Sequence, residues 1–371
     1  MIFAFILLFL CVLYVIFLYW CIKGWTSVKN CPAENFVLPT VTVVVACRNE
    51  EKSIVRLLRS LSQQNYPKEK LNVIIVDDHS EDNTIQIINE FISMNINSHF
   101  QLHLSINIGK KHAIDLGIKN ASGEIILTTD ADCSVGKDWI HTMVKPFAIP
   151  TVEMVAGPVV LAGKKSLLGL LQQLEMIGLT GISGGAMNHG KAMMCNGANL
   201  SYRRKAYLNV KGFSGNTYSS GDDTQLMQKL SRNDPASLFY QASASAIVRS
   251  EVQNTLHLFW QQRRRWATKI PFTLSLLTVA IAILAWFVHV GLFIQMLTLL
   301  IYPQNYLIFL ASVFIKVAGE TLFLKNVSRG LGEKSSWPLI FILQPVYWLY
   351  IAIVGAAVPF SNYQWKGRKV K

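Results

Sequence analysis

Apolar positions fall along this chain in two regimes. Residues 1–22 contain no charged side chain, and further apolar runs cover residues 272–302, 307–324 and 338–360. About 20 such residues are enough to cross a hydrocarbon core roughly 30 Å thick. Between these blocks apolar and charged positions are mixed, over a length ample for a domain with its own core. The expected organisation is an N-terminal transmembrane anchor over 1–22 and a globular domain over 23–270. A C-terminal membrane region of about three hydrophobic segments over 271–361 and a basic tail over 362–371 complete it. The first run has no basic stretch before it and no small-x-small site after it, so it reads as an uncleaved anchor and not a signal peptide.

Within the middle block the periodicity alternates. "TVTVVVA" at residues 40–46 predicts a short buried strand. Ile54, Leu57, Leu58 and Leu61 then recur at helical spacing, with Asn49 as the expected cap and Glu50 and Glu51 in the first turn. "LNVIIVDD" predicts a second strand, "EDNTIQIINEFI" a second helix, and "HFQLHLSI" and "GEIILTTD" two more strands around the helix "KKHAIDLGIKN". Alternating strands and helices predict an α/β fold with a mostly parallel sheet flanked by helices. A further helix is expected through "LLGLLQQLEMIGL", and the glycine-rich "GISGGAMNHG" after it reads as a mobile loop.

Composition sharpens this picture. The 371 residues are 51% hydrophobic and 15% charged, with mean hydropathy +0.32. That suits a membrane-anchored globular domain better than a wholly soluble or wholly membrane-embedded chain. The net charge of +13 raises nucleic acid as a partner, but no zinc-finger spacing or RNP-like aromatic motif is present and the longest basic tract is "RRR". Basic residues beside apolar runs instead match the positive-inside rule and anionic headgroups. Six cysteines make no CxxC pair, and Cys11 and Cys21 lie inside the first run, as in a protein of a reducing compartment. Lys23 and Lys29 after the first span place the globular domain on the cytoplasmic side of a cell (inner) membrane. Both flanks of the last apolar segment are basic, which leaves three full passes and two passes plus a re-entrant segment bent at Pro345 both open.

Acidic clusters sit where chemistry is expected. Asp77-Asp78 and Asp130-x-Asp132 fall at the carboxyl ends of two predicted strands, where open α/β sheets bind ligands. Carboxylates one residue apart converge readily on Mg²⁺ or Mn²⁺, which take hard oxygen ligands and share their shell with phosphate and water. "GDD" ending at Asp223 adds a further acidic pair.

"VVVACRNEE", "VDDHSEDNT", "TTDADC", "GDD" and "QRRRW" occur in this order. Together they resemble the family 2, GT-A-fold membrane glycosyltransferases, the group containing cellulose, chitin and hyaluronan synthases and ceramide glucosyltransferase. The resemblance covers about residues 40–266 and the flanking spans. It implies a GT-A nucleotide-sugar-binding domain with Asp78 on the nucleotide base and Lys110 near the nucleotide, Lys111 being the neighbouring candidate. Asp130 would meet ribose and the diphosphate-bound metal, with Asp132 as the metal ligand and Asp223 as the catalytic base. Asn196 and Asn199 of "CNGANLSYRR" fall where relatives place an acceptor-side strand and are candidate contacts to sugar hydroxyls. Departures from the usual pattern are Ala46 for a proline, Asp222 for a glutamate and Asp115 for an asparagine.

In a helix, Gln262, Arg265 and Trp266 share one face. Arg265 offers a planar fork suited to a diphosphate, and Trp266 a flat surface for a sugar. Arg263 and Arg264 are expected to point elsewhere, towards lipid phosphates. The implied activity is inverting transfer of a sugar from a nucleotide-diphosphate sugar to a lipid-linked or polysaccharide acceptor at the cytoplasmic membrane face. Mg²⁺ or Mn²⁺ is the implied cofactor, membrane lipids are partners, and the topology leaves room for additional membrane subunits. Processive synthesis and single addition to a lipid are both open. A non-catalytic nucleotide-sugar-binding subunit is the rival of a different class, and intact Asp132, Asp223 and Arg265 argue against it.

Overall fold

The computed structural model describes all residues except 28–35, 96–98, 164–165, 215–220, 233, 268–274, 335–336, 358–362, 366–367 and 371. Lys29, used above to orient the chain, and parts of the basic tail lie outside the described residues.

A seven-stranded sheet organises the globular part. Four parallel strands come first: β1 (Val41–Cys47), β2 (Leu71–Asp77), β3 (Phe100–Leu104) and β4 (Ile125–Asp130). Their neighbours are β6 (Met154–Ala156), β8 (Leu200–Arg203) and β9 (Leu238–Tyr240), giving the order β3-β2-β1-β4-β8-β6-β9. β8 runs antiparallel to both β4 and β6. A small second sheet joins β5 (Ser134–Val135), β7 (Val159–Ala162) and β10 (Val248–Glu251).

The sequence of β1 explains its place. "VTVVVAC" is nearly all apolar because both faces are covered. Successive side chains alternate between faces: Val43 and Val45 join the core under α2 (Ile54–Ser62), while Val44 joins the core that holds α4 (Lys110–Asn120). α2 buries Ile54, Leu57, Leu58 and Leu61, worth about 1.5–3 kcal/mol apiece relative to exposure. α3 (Thr84–Met94) completes that layer.

Two local expectations are corrected. Asn49 does not cap α2, which begins at Ile54 after Ser53. Asn49 adopts φ 51° and ties the β1 turn to the β2 turn, its backbone N–H donating to Ser80 (3.0 Å) and its side chain accepting from the Glu81 N–H (2.8 Å). The glycine run 181–185 is not a loop but the interior of a 22-residue helix, α6 (Leu167–Asn188), after the short α5 (Trp139–Val144). Its glycines form a docking face. A Cβ on Gly185 would lie 2.4 Å from the carbonyl oxygen of Cys21, and one on Gly24 only 2.1 Å from that of Gly185. Close backbone approach of this kind overrides the poor helix propensity of glycine.

That contact joins the domain to α1 (Ile2–Thr26). α1, α10 (Leu276–Thr298) and α11 (Tyr306–Leu331) are long and apolar enough to cross a membrane. The last apolar segment divides into α12 (Trp337–Ile342) and α13 (Gln344–Ala357), the break falling beside Pro345. At 14 residues α13 is about 21 Å long, shorter than a bilayer core of roughly 30 Å. A buried polar network ties these helices together. Lys316, fully buried, pairs with Glu320 (2.9 Å) and with Gln344; Tyr14 donates to Glu320 (3.1 Å) and Trp348 to Gln344 (2.9 Å). Ionisable groups are tolerated in such a setting only when paired in this way.

Three further helices are α7 (Arg204–Asn209), α8 (Asp222–Ser231) and α9 (Leu256–Ala267).

Candidate active site

Parallel strands β1, β2 and β4 end together, and the sequence places acids at the ends of β2 and β4. At β2, the Asp77 carboxylate accepts from the Ser80 N–H (2.9 Å) and closes the turn. Asp78 is 1% exposed, and its Oδ1 accepts from the Gly109 N–H (2.8 Å). The structure therefore places Asp78 inside the corner between β2 and α4, where it fixes the residue that precedes Lys110. Arg48, buried behind it, donates to the carbonyls of Asp78 (3.0 Å) and His79 (2.6 Å).

At β4, Asp130 forms an ion pair with Lys110 at the start of α4. Both side chains are roughly a third exposed, so the pair faces the crevice. Burial pulls the Lys110 pKa down, but the charges of Asp130 and Asp223 outweigh it and hold the amine above its ordinary value, with Arg265 opposing them. Lys110 thus stands within electrostatic reach of three groups that the chain supplies from β4, α8 and α9.

Asp132 lies two residues on. Its backbone carbonyl accepts from Arg56 of α2 (2.6 Å), and Arg56 also pairs with Glu251 at the end of β10. The turn carrying the acid is therefore pinned to α2, a role that nothing in the spacing of Arg56 signals. Burial, with the neighbouring charges of Asp132 and Asp130, pushes the Cys133 thiol well above its ordinary range, so it is a packing residue and not a thiolate ligand.

Asp223 stands in the first turn of α8, after Gly221 at φ 88°. A carboxylate is favoured at a helix N-terminus. Its Oδ2 accepts from the Gly197 N–H (2.8 Å) and its Oδ1 from the Thr224 N–H (2.8 Å). The Gly197 carbonyl in turn accepts from Thr128 of β4 (3.2 Å), which ties Asp223 to the strand that ends in Asp130.

The neighbouring asparagines do not both suit sugar contact. Asn199 is wholly buried and fully engaged, accepting from Trp139 (3.0 Å) and donating to the carbonyls of Pro158 (2.8 Å) and Ala246 (2.7 Å). It is a bracket between the two sheets. Asn196 turns the loop, its side chain accepting from the Ala198 N–H (3.1 Å).

The α9 motif is also rearranged relative to expectation. Arg263 does not face lipid phosphates. It is 2% exposed, bonded to Glu175 of α6 (Nε to Oε2, 2.8 Å) and to Gln262, with its guanidinium 4.3 Å from the Trp266 ring centroid. Arg263 therefore contacts both Gln262 and Trp266, while Arg265 is the arginine whose charge reaches Lys110. Spacing alone could not tell which of three consecutive arginines turns inward.

Asp130 and Asp132 supply hard carboxylate oxygens one residue apart. Among the described residues no group of three or more His, Cys, Asp or Glu forms a metal cage. This donor set fits Mg²⁺ or Mn²⁺ completing its shell with diphosphate and water, and does not fit an all-protein site.

The sheet order, the acid-tipped strands and the flanking helices define a GT-A-like α/β fold. Residues 42–210 match the family described as "Glycosyl transferase family 2". Over 237 residues the chain is 29% identical to poly-beta-1,6-N-acetyl-D-glucosamine synthase of Staphylococcus epidermidis, covering 63% of this chain and 55% of that protein. It is 28% identical over 241 residues to the probable glycosyltransferase YdaM of Bacillus subtilis, covering 62% and 55%. The chain thus spans about half the length of the curated relatives it matches. The solved structure of a mannosyltransferase from Pyrobaculum calidifontis, in complex with GDP-Man and Mn2+, matches with a TM-score of 0.60. That match covers 96% of this chain and 98% of the other at 19% identity, a likeness of fold.

Proposed function

We propose that this chain is a membrane-bound inverting glycosyltransferase that moves a sugar from a nucleotide-diphosphate sugar to a lipid-linked or polysaccharide acceptor at the cytoplasmic membrane face. The observation that carries the reading is the position of Lys110. It pairs with Asp130, and the charges of Asp223 and Arg265, each more than a hundred positions later than Lys110 in the sequence, also act on it.

Each group has a separable task. Lys110 and Arg265 offset the negative charge of the donor diphosphate, Arg265 through a planar fork. Asp78 fixes Gly109, and with it the start of α4, beside the nucleotide. Its contact with the base is what the family motif implies. Asp223 accepts the proton of the acceptor hydroxyl as that oxygen attacks the anomeric carbon. The bond from that carbon to the diphosphate oxygen breaks, the nucleoside diphosphate leaves with the electron pair, and the configuration inverts. The two backbone N–H groups on Asp223 hold its carboxylate aimed during this step. Asp132, with Asp130, would hold Mg²⁺ or Mn²⁺, which when bound offsets charge on the leaving diphosphate.

Two features support an acceptor drawn from the membrane or a growing glycan. Phe259 of α9 packs on Tyr350 of α13, so the motif helix adjoins the C-terminal apolar region, and the relative from S. epidermidis is named for synthesis of a polysaccharide. The test is to incubate the purified protein and a native lipid extract with a panel of labelled nucleotide sugars, and to identify products by mass. Transfer of one label to a lipid or glycan supports the reading. Absence of transfer from every donor, with protein that is folded and inserted, removes it.

A further inference from the structure

Arg263 is the second residue of the "QRRRW" motif, and its side chain is taken up by partners on α6 and α9. Its guanidinium sits between two rings, 4.6 Å from the centroid of Phe259 and 4.3 Å from that of Trp266. Its Nε and Nη2 both bond Oε2 of Glu175 on α6, and its Nη1 bonds Gln262. The other carboxylate oxygen of Glu175 accepts from the Tyr350 hydroxyl of α13 (2.8 Å), and Tyr350 packs against Phe259 with centroids 5.4 Å apart. One turn earlier on α6, Gln172 is completely buried. It donates to the Gln253 carbonyl (3.0 Å) and accepts from the Gln253 N–H (2.9 Å), just ahead of α9. Two buried polar clamps from one helix therefore grip α9 and the chain entering it, and α13 completes the second clamp.

Such an arrangement costs more to build than an apolar contact of the same volume. What it adds is direction. A salt bridge with two guanidinium nitrogens on one carboxylate oxygen fixes the rotation of α9 about its own axis. Arg265 stands two positions on, so that rotation decides where its fork points. Glu175 and Arg263 carry opposite charges out of solvent, and removing either leaves the other uncompensated at the hinge of the motif.

We infer that Glu175, Arg263 and Tyr350 are positioning residues that aim Arg265 at the donor diphosphate. Through them the rotation of α9, and so diphosphate affinity, depends on the C-terminal apolar helix α13. The inference rests on the glycosyltransferase reading above, which supplies the diphosphate.

The test uses the full chain in nanodiscs. Binding of UDP and GDP is titrated against binding of uridine and guanosine for the wild type, Glu175→Gln, Arg263→Lys and Tyr350→Phe. Each variant is first checked for unchanged insertion and secondary structure. Mis-aiming of Arg265 weakens binding of the preferred diphosphate at least about tenfold in Glu175→Gln and Arg263→Lys, and about threefold in Tyr350→Phe. Affinity for the parent nucleoside stays within about twofold, because the nucleoside lies away from Arg265. Tyr350→Phe removes one hydroxyl without a cavity, so it reports even if the charge variants fold poorly. Unchanged diphosphate affinity in the folded variants overturns the inference. So does an equal loss for diphosphate and nucleoside, which marks the clamp as purely structural. A wild type that binds neither UDP nor GDP more tightly than the nucleosides overturns the glycosyltransferase reading itself.

Discussion

The carboxylate of Asp223 and the backbone N–H of Gly197 meet at 2.8 Å, joining the first turn of α8 to the loop before β8. A Cβ at position 197 would lie 3.3 Å from the Asp223 Oδ2. That is tight enough to displace the acid by a few tenths of an ångström. Gly197→Ala is expected to lower kcat by up to about tenfold with donor affinity unchanged, since misplacement by 1 Å can cost on the order of a hundredfold. Steady-state kinetics at saturating donor check this. An unaltered kcat would show that the Asp223 position is not critical.

Metal dependence should run through Asp132. Chelation should stop transfer, and Mg²⁺ or Mn²⁺ should restore it. Asp132→Ala should weaken binding of a nucleoside diphosphate more than that of the nucleoside, because an ion held by Asp132 would offset diphosphate charge. Calorimetric titration of both ligands reports the difference. Full activity in excess chelator would exclude the ion.

The arginines of α9 should not be interchangeable. Arg265→Lys keeps the charge but loses the fork, and kcat/KM should fall about tenfold or more. Arg264→Lys should leave the rate near wild type. Rates of the two variants at matched expression and insertion decide this. Equal, near-normal rates would remove Arg265 from the site.

Asn199 makes a prediction about stability. Asn199→Ala strands the Trp139 indole N–H and two backbone carbonyls, at a cost on the order of 2–4 kcal/mol. Thermal unfolding of the purified protein should show a clearly lowered midpoint. A wild-type midpoint would mean that water or local relaxation satisfies those groups.

The parts of the fold legible in the sequence are those governed by period. The β-branched runs of β1 and β2 and the spacing of Ile54, Leu57, Leu58 and Leu61 could be read because burial on known faces dictates them. The acids at strand ends were legible for the same reason, since position along a strand fixes position in a parallel sheet. The rest depends on partners distant in sequence. Gly181, Gly184 and Gly185 look like a loop until α1 and α11 pack on them. Arg263 looks like a membrane anchor until Glu175, 88 positions away, takes its charge. Asn199 looks like a sugar contact until Trp139 and two carbonyls consume its amide. Local pattern carries no record of such pairings.

The most direct measurement separates binding from chemistry at Asp223. Donor affinity and single-turnover transfer are measured for the wild type and Asp223→Asn in nanodiscs, using the donor and acceptor found by the labelled panel. Asp223→Asn keeps the side chain's size and can still accept from the Gly197 N–H, but cannot take a proton. The account predicts transfer slower by about 10²–10⁴-fold, with the donor dissociation constant within about threefold of wild type. Near-normal transfer by folded Asp223→Asn would contradict it.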